Sequence, residues 1–181
     1  TWTGDLAAGE RALAALRGFG KPISDTIAPM GYVALQAKDE SPHGLNYYAK
    51  NGFLTALDDG GIDLILETAR ADPGAFFVAL DHAGGAYSRV PVEATAFPNR
   101  GALYWVGLLS GWKDPATSDA RIARVRAGWK RIEPLTEGFY SNLDLERGLD
   151  QNRANYGANF DRLVALKTKY DPMNLFRLNA N

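Results

Sequence analysis

The run 102–109 constrains the fold most, because it is almost wholly apolar over the length of a strand. Such a run is typical of a central strand that is buried on both faces of a sheet. Residues 75–82 alternate in the two-residue period of a strand, which places Phe77 and Asp81 on the face opposite Leu80. The chain therefore contains at least part of a β-sheet with a buried centre.

The other elements are predicted from turn residues and from apolar side chains at helical spacing. Gly84-Gly85 predicts a hairpin with a returning strand at 87–90, and short strands are predicted at 45–50 and 139–143. Amphipathic helices are predicted at 5–17, around 122–132 and at 156–169. Residues 53–71 are also predicted to be helical, as two short helices or one kinked helix, because the polar stretch Asp58-Asp-Gly-Gly61 interrupts them.

Strands joined by hairpins, with helices grouped between them, predict an α+β fold in which helices cover one face of an antiparallel sheet. The other face would be free for a ligand or for a second domain. We expect Phe77, Tyr87 and Trp105 on that uncovered face.

Composition excludes several classes of function. The chain has no cysteine, so it forms neither disulfides nor thiolate metal sites, and its two histidines predict no metal site. A net charge of −1 gives no basic surface for nucleic acid, and no apolar run is long enough to span a membrane. Because the chain starts at Thr1 without a methionine, we expect it to be a piece of a longer protein.

Tyr140 and Asn142 lie two residues apart in the predicted strand 139–143. Residues at that spacing point to the same face of a strand, about 7 Å apart. One face can therefore present a phenol and an amide together to a flat ring. The alternative is that Tyr140 is an ordinary strand residue and that Asn142 starts a turn.

Close to the C-terminus, residues 170–179 read Y-D-P-x-N-x-F-R-x-N. The residue before a proline is disfavoured in the helical region, so Asp171-Pro172 predicts the end of the preceding helix. Asn174 and Asn179 can then hold a tight loop through side-chain hydrogen bonds.

An ordered set of short motifs resembles the landmarks of the berberine-bridge-enzyme-like FAD-linked oxidases. They are Trp2-Thr-Gly4, Gly84-Gly85-Ala86, Thr95-Ala-Phe-Pro-Asn-Arg100, Trp112, Tyr140-Ser-Asn142, Tyr156-Gly157, Arg162-Leu163, Lys167 and the C-terminal signature. The resemblance covers essentially the whole chain. It implies a substrate domain at 1–134 and, at 135–181, a segment that in the family packs back on the FAD-binding domain. FAD would be bound mainly by an N-terminal domain that this chain lacks, so the chain alone is expected to be inactive.

The resemblance also implies roles for the site residues. In the family, the tyrosine of this Y-x-N motif is the catalytic base and the asparagine contacts the flavin, which assigns those roles to Tyr140 and Asn142. Asp81 resembles the aspartate of the carbohydrate-oxidising branch, where a carboxylate pairs with that tyrosine. A free phenol has a pKa of about 10, so a carboxylate that accepts its proton would make it a better base. The alternative for Asp81 is that it begins the hairpin turn.

Two departures from the family bear on the substrate. The strand 102–109 carries no acid where the alkaloid and cannabinoid branches have a substrate-binding glutamate, and Asn99 replaces the usual histidine. The resemblance therefore implies oxidation of a CH–OH group of a sugar or another secondary-metabolite alcohol, with hydride transfer to flavin and reoxidation by O2. Phe77, Tyr87 and Trp105 are the predicted substrate-lining residues, and His82 is predicted to be a structural loop residue.

A second hypothesis from a different class remains open. The chain would then be a free-standing, non-catalytic α+β module that binds a ligand or associates through its uncovered sheet face, with a homodimer as one form of association. Apolar residues such as Leu175 and Phe176 argue against this hypothesis unless the chain buries them itself.

Overall fold

The computed structural model describes residues 1–38, 42–143 and 148–178, which fall into two compact units, Thr1–His43 and Gly44–Asn181. The first unit holds helices α1 (Leu6–Arg17) and α2 (Tyr32–Lys38). Asp5 caps α1, because its carboxylate accepts a hydrogen bond from the amide of Ala8 at 2.9 Å. The predicted helix at 5–17 is confirmed.

The second unit contains an antiparallel three-stranded sheet and most of the helices. Its strands are β1 (Asn46–Leu54), β2 (Phe77–His82) and β3 (Tyr104–Trp112). Its helices are α3 (Asp59–Ala71), α4 (Ser118–Ile132), α5 (Leu149–Tyr156) and α6 (Phe160–Tyr170). Short 3-10 turns lie at Tyr87–Arg89, Val92–Ala94, Pro115–Thr117, Glu133–Leu135, Ser141–Leu143 and Gly157–Asn159. The strand order is β1-β3-β2, so the apolar run at 102–109 does form the central strand.

The core lies between the sheet and helices α3 and α4. Its buried side chains are Leu54, Ile65, Val106, Leu108, Val125, Trp129 and Ile132. At the far end of the opposite face, Tyr47 and Phe77 stay more than half exposed. This arrangement confirms the predicted α+β fold, with helices on one face of an antiparallel sheet. No helix in the described ranges is long and apolar enough to cross a membrane.

The predicted hairpin at Gly84-Gly85 is wrong. β2 pairs with β3, and the amide of Ala83 continues that pairing by donating to the carbonyl of Leu103 at 2.7 Å. The predicted returning strand at 87–90 is instead the 3-10 turn Tyr87–Arg89. The glycines do make a left-handed turn, but the residues beyond it form a 3-10 turn and no strand, so β2 stays at the edge of the sheet with β3 as its neighbour.

The prediction of a helix starting at residue 53 is also wrong. β1 continues through Leu54, since Phe53 and Leu54 pair with Trp105 and Tyr104 of β3. Helix α3 begins only after Asp58, whose carboxylate accepts from the amide of Gly61 at 2.8 Å. The polar stretch that was predicted to interrupt one helix is therefore an N-terminal cap.

The predicted strand at 139–143 is not formed. The two residues just before it do pair with β1. The amide of Glu137 donates to the carbonyl of Phe53 at 2.7 Å, and the amide of Phe53 donates to the carbonyl of Gly138 at 3.4 Å. The chain then turns into the 3-10 helix Ser141–Leu143. The predicted division between 1–134 and 135–181 stays a prediction, and both sides of it contribute to the second unit.

Helix α6 ends at Tyr170, as Asp171-Pro172 predicts. The Asp171 carboxylate then organises the following loop by accepting from the amides of Leu175 and Phe176 at 2.7 and 3.0 Å. Lys167 binds the same carboxylate at 2.5 Å. Asn174 takes a left-handed conformation with φ of 51°. Asn179 lies outside the described residues.

The Asp171 loop predicts a pH dependence. The hydrogen bond from Lys167, with those from Leu175 and Phe176, holds the pKa of Asp171 below its ordinary value. A carboxylate with a lowered pKa in the folded state stabilises the fold at neutral pH, and this contribution is lost as the pH falls through the folded pKa. We therefore expect Asp171→Asn to speed amide hydrogen exchange at Leu175 and Phe176 at pH 7, while in the native protein these amides loosen only under strongly acidic conditions.

Asp161→Asn is the matched control for this measurement, because Asp161 lies in the first turn of α6, at the end remote from the loop, and its side chain is 88% exposed. Unchanged exchange at Leu175 and Phe176 in Asp171→Asn would contradict this account of the loop.

Candidate functional site

A cavity of about 530 Å³ lies at one end of the sheet face that α3 and α4 leave uncovered. Its walls include Phe53, Asp81, Tyr87, Phe97, Trp105 and Tyr140. Of the predicted site residues, Asp81, Tyr87, Trp105 and Tyr140 thus meet at one place, although they are distant in the sequence. The cavity is mainly apolar, with Asp81 and Arg100 as its charged side chains.

The strand register explains the floor of the cavity. Phe53 of β1 and Asp81 of β2 both lie directly opposite Trp105 of β3. Residues that pair directly across antiparallel strands point to the same face, so these side chains form a row. Phe77 shares this face, but it pairs with Leu109, is 61% exposed and does not line the cavity.

The indole of Trp105 lies over Gly107. A Cβ atom at Gly107 would stand 2.5 Å from the ring of Trp105, a distance that only a glycine avoids. The ring nitrogen of Trp105 reaches across to Asn51, which pairs with Gly107, and donates to its Oδ1 at 3.0 Å. The glycine therefore lets the indole lie along the sheet and form part of the cavity wall.

Tyr140 reaches the cavity from the turn that follows the β1-paired residues. Its backbone amide donates to Oδ1 of Asn51 at 2.7 Å, and Nδ2 of Asn51 donates to its carbonyl at 3.2 Å. Asn155 of α5 holds the preceding residue, because its Oδ1 accepts from the amide of Phe139 at 2.9 Å. The buried amide of Asn51 and the half-buried amide of Asn155 thus hold the backbone at residues 139–140.

The phenol and the amide predicted to act together do meet, although no strand carries them. Nδ2 of Asn142 donates to the hydroxyl oxygen of Tyr140 at 2.8 Å. The Tyr140 side chain is partly exposed toward the cavity and is not sunk among the helices. Within the described part of the chain, no hydrogen bond joins this hydroxyl to Asp81, so a bridging group is needed for proton exchange between them.

Tyr87 lines the cavity in a structural role. Its hydroxyl donates to the carbonyl of Ala102 at 3.2 Å, and its ring meets that of Phe97 edge to face. Arg100 donates to the carbonyl of Tyr87 at 3.0 Å and stacks its guanidinium over Phe97 at 5.0 Å. Burial raises the pKa of Tyr87, against a smaller opposing effect of Arg100, so this phenol stays neutral.

The sequence analysis did not identify Asn51, whose side chain binds both Tyr140 and Trp105. Asn51 is fully buried, yet it stands between the predicted strand at 45–50 and the predicted helix at 53–71. Its neighbours in the sequence, Lys50 and Gly52, give no signal of this burial. His82 lies at the cavity rim with its ring against Tyr104. Among residues 1–38, 42–143 and 148–178, no cluster of His, Asp and Glu is suited to hold a metal ion.

Comparison with known proteins shows which sequences this chain is similar to. The sequence profile described as "Berberine and berberine like" matches residues 139–181. A protein of Dictyostelium discoideum described as an FAD-linked oxidoreductase is 30% identical over 189 aligned positions, which cover 99% of this chain and 40% of that protein. The chain spans less than half the length of the curated relatives it matches.

Solved structures extend the similarity to the fold. A berberine bridge enzyme variant described as a reticuline dehydrogenase superposes with a TM-score of 0.79, covering 97% of this chain and 43% of its own, at 18% identity. That identity supports a common fold and nothing more. A glycopeptide hexose oxidase solved with teicoplanin has a TM-score of 0.63 at 26% identity, over 72% of this chain and 31% of its own.

Proposed function

We propose a function from the premise that this chain belongs to the berberine-bridge-enzyme-like family of FAD-linked oxidoreductases. The chain would serve as the substrate-binding part of a longer enzyme that oxidises a CH–OH group to a carbonyl. One observation carries this proposal: the phenol of Tyr140, with the Asn142 amide on its oxygen, opens into a cavity that also holds the Asp81 carboxylate.

Tyr140 would take the proton of the substrate hydroxyl. The amide of Asn142 donates to the phenol oxygen and so stabilises negative charge on it. Asp81 would accept the phenol's own proton through a water molecule, so that the phenolate oxygen can take the proton of the substrate hydroxyl. The carbon–hydrogen bond would then break, and the hydrogen would leave the substrate carbon with the bonding electron pair, as hydride, while the carbonyl forms.

The residues present fit a flavin at this place. The sheet face carries the flat indole of Trp105, held along the sheet above Gly107, beside an apolar cavity. Tyr140 and Asn142 present a phenol and an amide at its edge. Bound FAD would supply the hydride acceptor, and dioxygen would reoxidise it. Asn142 is the residue of this chain that we propose to contact the flavin.

The flavin domain would come from the same protein, outside this chain. The Asp171 loop, which follows α6, supports this partner. Its side chains Met173, Leu175 and Phe176 stay largely exposed within the described residues. Apolar side chains grouped on one loop mark a surface that another domain can cover. We propose that this loop packs on the flavin-binding domain, as the similarity to the family implies.

A sugar is the substrate class that the cavity fits best. Trp105, Phe97 and Phe53 offer apolar ring faces, while Asp81 offers a carboxylate to accept from hydroxyl groups. Carbohydrate rings pair apolar C–H faces with hydroxyl edges, so this combination suits them. The similarity to a hexose oxidase points in the same direction.

The test uses the full-length protein loaded with FAD. We expect anaerobic mixing with a panel of hexoses and glycosides to bleach the flavin for at least one sugar, and admission of air to restore its colour with formation of hydrogen peroxide. Asp81→Asn is expected to slow flavin reduction about 10- to 100-fold, because the phenol loses its proton acceptor.

Asp63→Asn is the matched control, because Asp63 lies on α3, behind the other face of the sheet. If no alcohol or sugar reduces the flavin, the proposal fails and the non-catalytic module becomes the better account. If Asp81→Asn reacts at the wild-type rate, Asp81 is not the proton acceptor.

A further inference from the structure

Asn51 is a fully buried amide in the middle of the sheet face that carries the cavity. We propose that Asn51 is a positioning residue that fixes the Tyr140 phenol for proton transfer. This inference rests on the proposed function, because it gives Asn51 a role only through Tyr140.

Backbone pairing with β1 stops just before Tyr140. The segment before Tyr140 pairs with β1 through Phe53, whose backbone groups bond to Glu137 and Gly138. At Tyr140 the chain leaves β1 and enters the 3-10 turn. No strand ladder therefore continues to the residue whose position matters most.

Asn51 supplies the missing pair of bonds. Its Oδ1 accepts from the amide of Tyr140 at 2.7 Å and its Nδ2 donates to the carbonyl of Tyr140 at 3.2 Å. A side-chain amide offers the same donor and acceptor as a peptide group, so Asn51 extends β1 by one ladder position. The carbonyl of Tyr140 also accepts from the amide of Leu143 within the turn, at 3.1 Å.

Asn51 is itself held rigidly. Its Oδ1 also accepts from the ring nitrogen of Trp105 at 3.0 Å. One amide oxygen thus ties the backbone of Tyr140 to the aromatic wall of the cavity. A buried amide with its hydrogen bonds satisfied specifies one arrangement, since any other would leave polar groups unpaired.

Asn51 is expected to position Tyr140 alone, because a second side chain holds the residue before it. Asn155 holds the amide of Phe139 independently of Asn51, at 2.9 Å. Loss of Asn51 is therefore expected to free the Tyr140 backbone, while Phe139 stays bound to Asn155 and the Trp105 ring stays packed over Gly107. The phenol would then sample positions away from the substrate hydroxyl.

The experiment is a double-mutant cycle in the full-length FAD-loaded protein, with anaerobic flavin reduction by the best sugar of the panel. Asn51→Leu keeps the branching of the side chain at Cγ and removes all three hydrogen bonds. We expect it to lower the limiting rate of flavin reduction about 100-fold, with little change in the substrate Kd, because the base is misplaced. In a Tyr140→Phe background, Asn51→Leu is expected to cause no further decrease.

The controls separate positioning from folding. Asn152→Leu removes another buried asparagine, on α5, and is expected to leave the rate unchanged. Should Asn51→Leu fail to retain FAD, the shorter polar variant Asn51→Ser decides in its place, with the same expected loss. An equal decrease in both backgrounds would mean that Asn51 acts on the fold as a whole, and would overturn the inference while leaving the proposed function intact. If Tyr140→Phe alone reacts at the wild-type rate, the proposed function fails and takes this inference with it.

Discussion

Tyr140→Phe is expected to slow flavin reduction by substrate about 10²- to 10⁴-fold in the full-length FAD-loaded protein, the range that general acid–base catalysis contributes. The phenylalanine ring fills the same place at the cavity wall, but it cannot take the proton of the substrate hydroxyl. Asn142 also loses the phenol oxygen to which it donates. Stopped-flow absorbance under anaerobic conditions measures the rate constant directly.

Tyr104→Phe is the control. Tyr104 directly precedes the cavity residue Trp105 on the central strand, but it faces the helix-covered side of the sheet. Its variant is expected to reduce the flavin at the wild-type rate. A Tyr140→Phe enzyme that matches Tyr104→Phe would remove Tyr140 from the chemistry.

Leu108→Ala is expected to lower the free energy of unfolding by about 2–5 kcal/mol, the range observed when a buried leucine is truncated in a core. Leu108 is fully buried on the central strand and belongs to the cluster formed with α3 and α4. Its side chain also packs close to Gly128, where a Cβ would lie 3.2 Å from Leu108 Cδ1. Since a domain is stable by about 5–15 kcal/mol, this loss would be a large share of the total.

Urea unfolding followed by circular dichroism measures this effect. Leu80→Ala, on the edge strand of the same sheet, is the control, because Leu80 is 44% exposed and leaves a smaller cavity. Leu80 shares the sheet face of Leu108, so equal destabilisation by the two variants would contradict the placement of the core at the central strand.

The fold was predictable from sequence where the side chains alone decide the structure. The apolar run at 102–109 identified the central strand, and the alternation at 75–82 identified the edge strand beside it. The predictions failed where tertiary pairing overrides a local signal. Gly84-Gly85 has the residues of a hairpin turn, but β2 finds its partner in β3 and not in the residues that follow the turn.

The candidate site was predictable in its residues and not in its geometry. Tyr140 and Asn142 were expected to share a strand face, and they instead meet by a direct hydrogen bond in a turn. Their assigned roles remain predictions. Asn51 could not be found from sequence, because its importance comes from contacts with residues more than 50 positions away. Only the register of β1 on β3 brings its amide to Trp105 and to Tyr140.

The most direct test of the central claim is a crystal structure of the full-length protein with FAD and a bound sugar. The account predicts that the isoalloxazine ring lies against the cavity walled by Trp105, with the amide of Asn142 toward the ring. The phenol oxygen of Tyr140 should stand about 3–3.5 Å from the substrate hydroxyl, within the range of a reactive arrangement. A flavin ring on the helix-covered face of the sheet, or at the opposite end near Phe77, would contradict it.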